Sequence, residues 1–207
     1  MRAWKWLLVV AVFAVLAAPA SAADERFVIR FGIVLLEPTA DSVIEGRTAE
    51  LDQAWGGGFD FEWMFGQRVG LEGSIATAVD ADINRDDETA AGVTVTPVTV
   101  GLNGHLVRND KLDWFVGVVV GQMYFADFDF EDDTTTVSSE SSTTYGAQTG
   151  VDFAVSENGK WAIHFGVKYL VADVDRGRVT LDVDPLLVRA MGVFRWSVPP
   201  AVSGLPR

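Results

Sequence analysis

The sequence contains no cysteine. Disulfide frameworks, thiolate metal sites and cysteine nucleophiles are therefore excluded, and the redox compartment leaves no mark on the chain. Histidine is nearly as scarce, with 2 in 207 residues, and the 16 Lys and Arg are outnumbered by 29 Asp and Glu, for a formal net charge of -13. A nucleic-acid surface needs Lys and Arg to displace counterions from phosphates, and no basic stripe is present, so nucleic acid is excluded as a partner. Beyond residue 22 no apolar run is long enough for a transmembrane helix. Apolar side chains, at 49% of residues, and glycine, at 20 positions, are plentiful. Length and composition suit one domain with a sizeable core.

The first segment carries an address. "MRAWKW" supplies Arg2 and Lys5, "LLVVAVFAVLAA" is apolar but short for a membrane span, and Ala20-Ser21-Ala22 is a small-x-small cleavage site. Residues 1–22 therefore read as an export signal cleaved after Ala22, an uncleaved anchor being disfavoured by the shortness of the run. An exported chain without transmembrane helices enters a bilayer only as a closed barrel, because lipid offers no partner to a free backbone N–H or C=O.

The remaining chain is written in a period of two. In "TYGAQTGVDFAV" (144–155), Tyr145, Ala147, Val151, Phe153 and Val155 share one face, and Gly146, Gln148, Gly150 and Asp152 the other. The same alternation runs through "RFVIRFGIVLL", "WGGGFDFEWMF", "VGLEGSIAT", "PVTVGLNGHLV", "WAIHFGVKYLV" and "LLVRAMGVFRW", while "WFVGVVVGQMYF" is apolar on both sides with Gly117 and Gly121 in phase. These are eight strands. Short connections at 66–68, 108–113 and 156–160 alternate with long ones at 38–54, 78–96 and 126–143 and a shorter acidic one at 172–178. Short turns at one end and long loops at the other describe an all-β, eight-stranded antiparallel up-and-down transmembrane β-barrel over 23–196. Trp55, Trp63, Trp114, Tyr145, Trp161 and Trp196 lie near strand ends, where interfacial girdles belong. A soluble lipocalin-like barrel is the competing reading. Its exterior would be rich in Lys and Glu, whereas the polar face here is mostly glycine with scattered charges. Residues 197–207, with two adjacent prolines and no alternation, are expected to be an unstructured tail.

"RFGIVLLEP" (30–38), "YGAQTGVDFAV" (145–155), "WAIHFGVKYLVADVD" (161–175) and "DPLLVRAMGVFRW" (184–196) together resemble the outer membrane protein W (OmpW) family. The resemblance implies an outer-membrane location in a Gram-negative cell and a narrow passage for small, hydrophobic molecules. It also implies lipid and lipopolysaccharide as surroundings, with biogenesis through periplasmic chaperones and the barrel-assembly machinery. No cofactor is implied.

The residues that phase inward with charge or amide groups are Arg30, Asp60, Glu62, Glu72, His105, Gln148, Asp152, His164, Lys168, Arg189 and Arg195. Four cations face four carboxylates, so a mutually paired network is expected. Such a network acts either as a selective lining or as a plug that holds the barrel in shape. His105 or His164 with Ser74 or Asp152 would make a hydrolase constellation, but no nucleophile elbow accompanies them, and no catalytic residues are assigned. "DADINRDD" has Asp80, Asp82 and Asn84 at calcium-loop spacing, yet Arg85 stands in place of the required glycine and Ala91 in place of the bidentate Glu. "DFDFEDD" aligns Asp127, Asp129, Glu131 and Asp133, which could weakly hold divalent cations bridging lipopolysaccharide phosphates; a solvated acidic loop is the simpler reading. No metal site is assigned.

Two functions remain. One is passive passage of small apolar solutes, with the links 38–54 and 78–96 at the mouth, Val43, Ile44 and "GVTVT" (92–96) as apolar lining, and Pro97 and Pro185 as lateral exits because neither donates a ladder hydrogen bond. The other is a structural or adhesive barrel with a plugged lumen, whose loops bind surfaces, phage or bacteriocins.

Overall fold

A computed structural model describes residues 26–39, 42–44, 47–85, 88–130, 140–175, 179–182 and 184–197; at 42–51, 80–92, 127–140 and 173–183 only the backbone is described. The expected export signal, 1–22, and residues 198–207 of the expected tail lie outside the described residues. So do the side chains of Val43, Ile44 and the two acidic segments.

Eight long antiparallel strands close on themselves. They are β1 (Phe27–Pro38), β4 (Ala54–Phe65), β5 (Val69–Arg85), β6 (Glu88–Arg108), β7 (Leu112–Phe130), β8 (Glu140–Ala154), β9 (Trp161–Val171) and β12 (Pro185–Trp196). Each pairs with the next, and β1 closes the ring against β12, from Phe27 opposite Trp196 to Pro38 opposite Pro185. Four short strands lie in the long connections: β2 (Ser42–Ile44), β3 (Arg47–Leu51), β10 (Asp173–Asp175) and β11 (Val179–Asp182). They form a small sheet that joins the barrel where β3 pairs with β5 at Glu50 and Asn84.

The links expected at 78–96 and 126–143 are largely strand: β5 runs on to Arg85, β6 begins at Glu88, β7 reaches Phe130 and β8 starts at Glu140. Composition misleads there. Asp80, Asp82 and Thr94 read as loop, but a ladder beyond the bilayer needs only backbone hydrogen bonds, and water tolerates a polar outer face. The turns at the other end are short. Gly66 and Gly159 adopt φ of 73° and 68°, a region closed to most side chains. In the β6–β7 turn Asn109 Oδ1 accepts from the amides of Lys111 and Leu112, both at 2.9 Å.

The outer surface is apolar and ringed twice by aromatics. At the turn end Trp63 packs on Phe65 with ring centres 4.3 Å apart, Phe27 stacks on Trp196 at 5.3 Å and Trp161 meets Phe194 at 4.8 Å. At the loop end stand Trp55, Tyr124, Tyr145 and Tyr169, all exposed. Between them Phe31, Ile33, Val100, Val118, Val120 and Phe165 face outward more than half exposed or close to it. This is the inverse of a soluble barrel, and it follows from the alternation of Cβ direction along each strand.

Candidate functional site: a two-layered lumen

Every inward-facing charged or amide residue expected from the sequence is buried inside the barrel: Arg30, Asp60, Glu62, Glu72, His105, Gln148, Asp152, His164, Lys168, Arg189 and Arg195 are each 5% exposed or less. They occupy the half of the lumen nearest the short turns. Arg30 is the hub. Its Nη2 donates to Glu62 Oε2 at 2.9 Å and to Asp152 Oδ2 at 3.1 Å, its Nε donates to Asp152 Oδ1 at 3.3 Å, and its guanidinium lies 4.8 Å from the centre of the Phe115 ring.

Around the hub two sub-networks spread across the lumen. On one side Asn103 donates to Glu62 at 2.8 Å and Glu72 at 3.1 Å, and Gln148 donates to Glu72 at 3.0 Å and Asn103 at 2.7 Å. Lys168 donates to Glu72 at 3.2 Å and Thr99 at 3.1 Å, and Arg189 donates to Asp60 at 2.9 Å. On the other side His164 Nδ1 lies 2.7 Å from Asp152 Oδ1, and Arg195 donates to Asp152 Oδ2 at 3.2 Å. His105 places Nδ1 2.5 Å from Asp113 Oδ1 and Nε2 3.1 Å from Glu62 Oε1. A charge buried without a partner costs several kcal/mol, so a filled, cross-linked layer is the stable way to bury so many.

Three participants escaped the sequence reading. Asp113 fell in the segment 108–113 taken as a turn, yet β7 begins at Leu112, and Asp113 joins the network with Arg195 at 3.8 Å and Arg108 at 3.6 Å. Extending the alternation Phe115, Gly117 backward by two residues would have found it. Phe115 was hidden in a strand apolar on both sides; it is fully buried among Arg30, His105 and His164. Asn103, inside the alternating segment "PVTVGLNGHLV", connects Glu62, Glu72 and Gln148, a role that spacing does not mark. Inward glycine supplies the room: a Cβ at Gly150 would collide with the His164 and Phe115 rings, and one at Gly117 with the Asn103 amide oxygen.

The loop-side half of the lumen is apolar. Val34, Leu36, Val95, Met123, Phe125 and Leu170 pack with Ala76, Ala78, Leu187 and Met191 in one cluster, and Val93 and Val95 of the "GVTVT" run point into it. At the boundary between the layers the wall changes. The β5–β6 ladder pairs Ser74 with Thr99 and Ile75 with Val98, then resumes at Ala78 with Val95, omitting Ala76, Thr77, Thr96 and Pro97. Pro97 has no N–H to give, and the gap is spanned on the outer face by a 3.3 Å hydrogen bond from the Thr96 hydroxyl to that of Thr77. On its other side Pro97 stays in register with Met123. At Pro185 the β1–β12 ladder is continuous.

A closed antiparallel barrel with a lipid-type exterior, two aromatic girdles and a charged interior is a transmembrane barrel of the outer-membrane kind. The chain belongs to the outer membrane protein beta-barrel domain family, whose model matches residues 8–191, and its setting is the outer membrane of a Gram-negative cell. Among solved structures, OprG from Pseudomonas aeruginosa matches with a TM-score of 0.69 at 20% identity, covering 84% of this chain and 97% of that one. Neisserial surface protein A matches at 0.56 and 10% identity over 83% and 97%, and AlkL in lipid bilayers at 0.52 and 18% identity over 90% and 98%. At these identities the likeness is one of fold. No curated protein matches the chain significantly.

Proposed function

We propose that this OmpW-like barrel passes small apolar molecules from the outside into the outer membrane by a sideways route. The observation that carries the reading is the division of the lumen, with an apolar layer on the loop side, a cross-linked charged layer on the turn side, and the β5–β6 ladder break at their boundary. An apolar solute gains by leaving water for the upper layer. It loses if it must pull apart buried ion pairs to go further. The wall beside Ala76 and Pro97, where two consecutive ladder pairs are missing, is the cheapest exit to lipid. The route favours Pro97, because at Pro185 the ladder toward β1 is unbroken, although that toward β9 starts only at Leu186.

Uptake of a lipophilic tracer by cells lacking other pores tests this. A bulky replacement of Ala76 should slow uptake several-fold, and Glu62→Gln should leave it nearly unchanged. If Glu62→Gln or Lys168→Met abolishes uptake while Ala76→Phe does nothing, the route runs down the charged layer instead. The second reading, a structural or adhesive barrel, is favoured by the long β5–β8 strands, which carry the sheet past the aromatic girdle at Trp55 and Tyr145. Absence of uptake by the unmodified protein, with loop-dependent surface binding, would select it.

A further inference from the structure

At the boundary between the two layers lies a void with a polar floor and apolar walls. Asp60, Lys168 and Arg189 make the floor; Ala76, Leu187 and Met191 belong to the walls. In the present packing it leaves no room for a water-sized sphere. Two floor atoms make no hydrogen bond, Arg189 Nε, which is a donor, and Asp60 Oδ1, which is an acceptor opposite Ser74 in the ladder. Both residues are almost fully buried, at 2% and 1% exposed. The cause is the end-on geometry of their ion pair. Arg189 Nη1 reaches Asp60 Oδ2 at 2.9 Å, whereas a side-on fork would have occupied Nε and both oxygens.

Buried groups of this kind normally find partners, and leaving one bare in a dry interior is costly. The charges beside the void already cancel, Arg189 against Asp60 and Lys168 against Glu72 at 3.2 Å. An anionic head placed here would be a surplus buried charge. A pure hydrocarbon would leave both atoms unpaired. A neutral group that donates one hydrogen bond and accepts one fits both needs, and the Met191 and Leu187 side chains above it are apolar, the thioether of Met being easily repacked.

We infer that this void is the head-group subsite for a neutral single-chain amphiphile, a molecule with one O–H donor and one acceptor on a hydrocarbon chain, such as an alkanol or an undissociated fatty acid. The head lies between Arg189 Nε and Asp60 Oδ1, and the chain displaces Leu187 and Met191 into the apolar layer. The inference rests on the proposed use of that layer as the solute path. A hydrogen bond to a charged group made in place of an unpaired one corresponds to roughly tenfold or more in affinity.

The test uses the full chain in lipid nanodiscs, with 1-octanol labelled with carbon-13 at C1, n-octane and octanoate as probes, and empty nanodiscs to correct for partitioning. The expected result is 1-octanol binding at least about tenfold tighter than n-octane, with a shifted C1 resonance, and ionised octanoate binding no better than n-octane. Arg189→Lys keeps the charge but removes Nε, and should bring 1-octanol down to the level of n-octane. Asp60→Leu with Arg189→Met, removing the ion pair as a unit, should do the same, with heat-modifiable gel mobility reporting the fold of either variant. Equal binding of 1-octanol and n-octane by the unmodified protein, an octanol preference that survives both variants, or tightest binding by ionised octanoate would overturn the inference. Tracer uptake without an octanol preference overturns the subsite alone; no uptake and no binding of either probe overturns the passage reading with it.

Discussion

The two halves of the lumen are equally buried but are held together by opposite means. The turn-side half is directional: Arg30, Glu62, Asp152, His164 and their neighbours fix one another at 2.5–3.3 Å, and each member is needed by another. Among the described residues the loop-side half is held mainly by apolar packing, with Leu36, Val95, Met123 and Leu170 at 0% exposed and no charge among them, and the buried Thr144 hydroxyl donating to Val171 O at 2.9 Å. A charge network tolerates the loss of a member badly, because the partner stays buried and unpaired. An apolar cluster loses only the transfer and cavity contribution of the atoms removed. The first half is therefore built to stay shut and the second to be rearranged.

Removing the hub should have the largest effect. Arg30→Met takes the shared guanidinium from Glu62 and Asp152 at once, leaving Glu62 to Asn103 and His105 and Asp152 to His164 and Arg195, and should cost about 3–5 kcal/mol of stability, read as a lower urea midpoint for loss of the heat-modifiable band; an unchanged midpoint would erase the contrast between the halves. Next comes Leu187→Ala in the apolar half, which should cost about 2–3 kcal/mol and raise tracer uptake, whereas the charged-half change should not raise it. Filling the wall at the ladder break with Ala76→Phe should cost on the order of 1–2 kcal/mol through overpacking while lowering uptake, so that stability and transport move together here and apart at Leu187. The smallest effect is that of salt. Raising it from about 0.1 to 1 M screens exposed pairs but reaches buried ones little, so the unfolding midpoint should shift by less than the equivalent of about 0.5 kcal/mol; a large shift would mean that water fills the charged layer.

The strands and their phase were legible because Cβ direction alternates along a barrel strand except at bulges, which here fall near the strand ends, as between His105 and Val107 and between Gly92 and Thr94, and a membrane exterior makes one phase uniformly apolar. That is why Arg30, Gln148 and Arg195 could be placed inside from spacing alone. Strand ends were not legible, since beyond the bilayer the outer face is free to be polar, which hid the extension of β5 to Arg85 and of β6 back to Glu88. Partner choice across the lumen was not legible either. Nothing along the chain says that Arg30 meets Asp152, 122 residues away, because that depends on strand stagger around the ring. Pro97 was readable as a weak point from its missing N–H, but that the ladder fails toward β5 and holds toward β7 is a property of the closed sheet.

The closing seam between β1 and β12 also sets a timetable. Its partners come from the two ends of the barrel sequence, Phe27 and Trp196, so the ring has no early closed intermediate. Pairing at such sequence distance is slow to form. Arg189 and Arg195 arrive with the final strand, and until they do Asp60 has no cation to donate to it and Asp152 lacks one of its two. A barrel lacking that one strand of eight would thus hold an unpaired Asp60 and a half-compensated Asp152 facing a drying interior, a state that lipid rejects. The charged layer makes insertion conditional on completion, admitting the last strand and refusing a barrel without it.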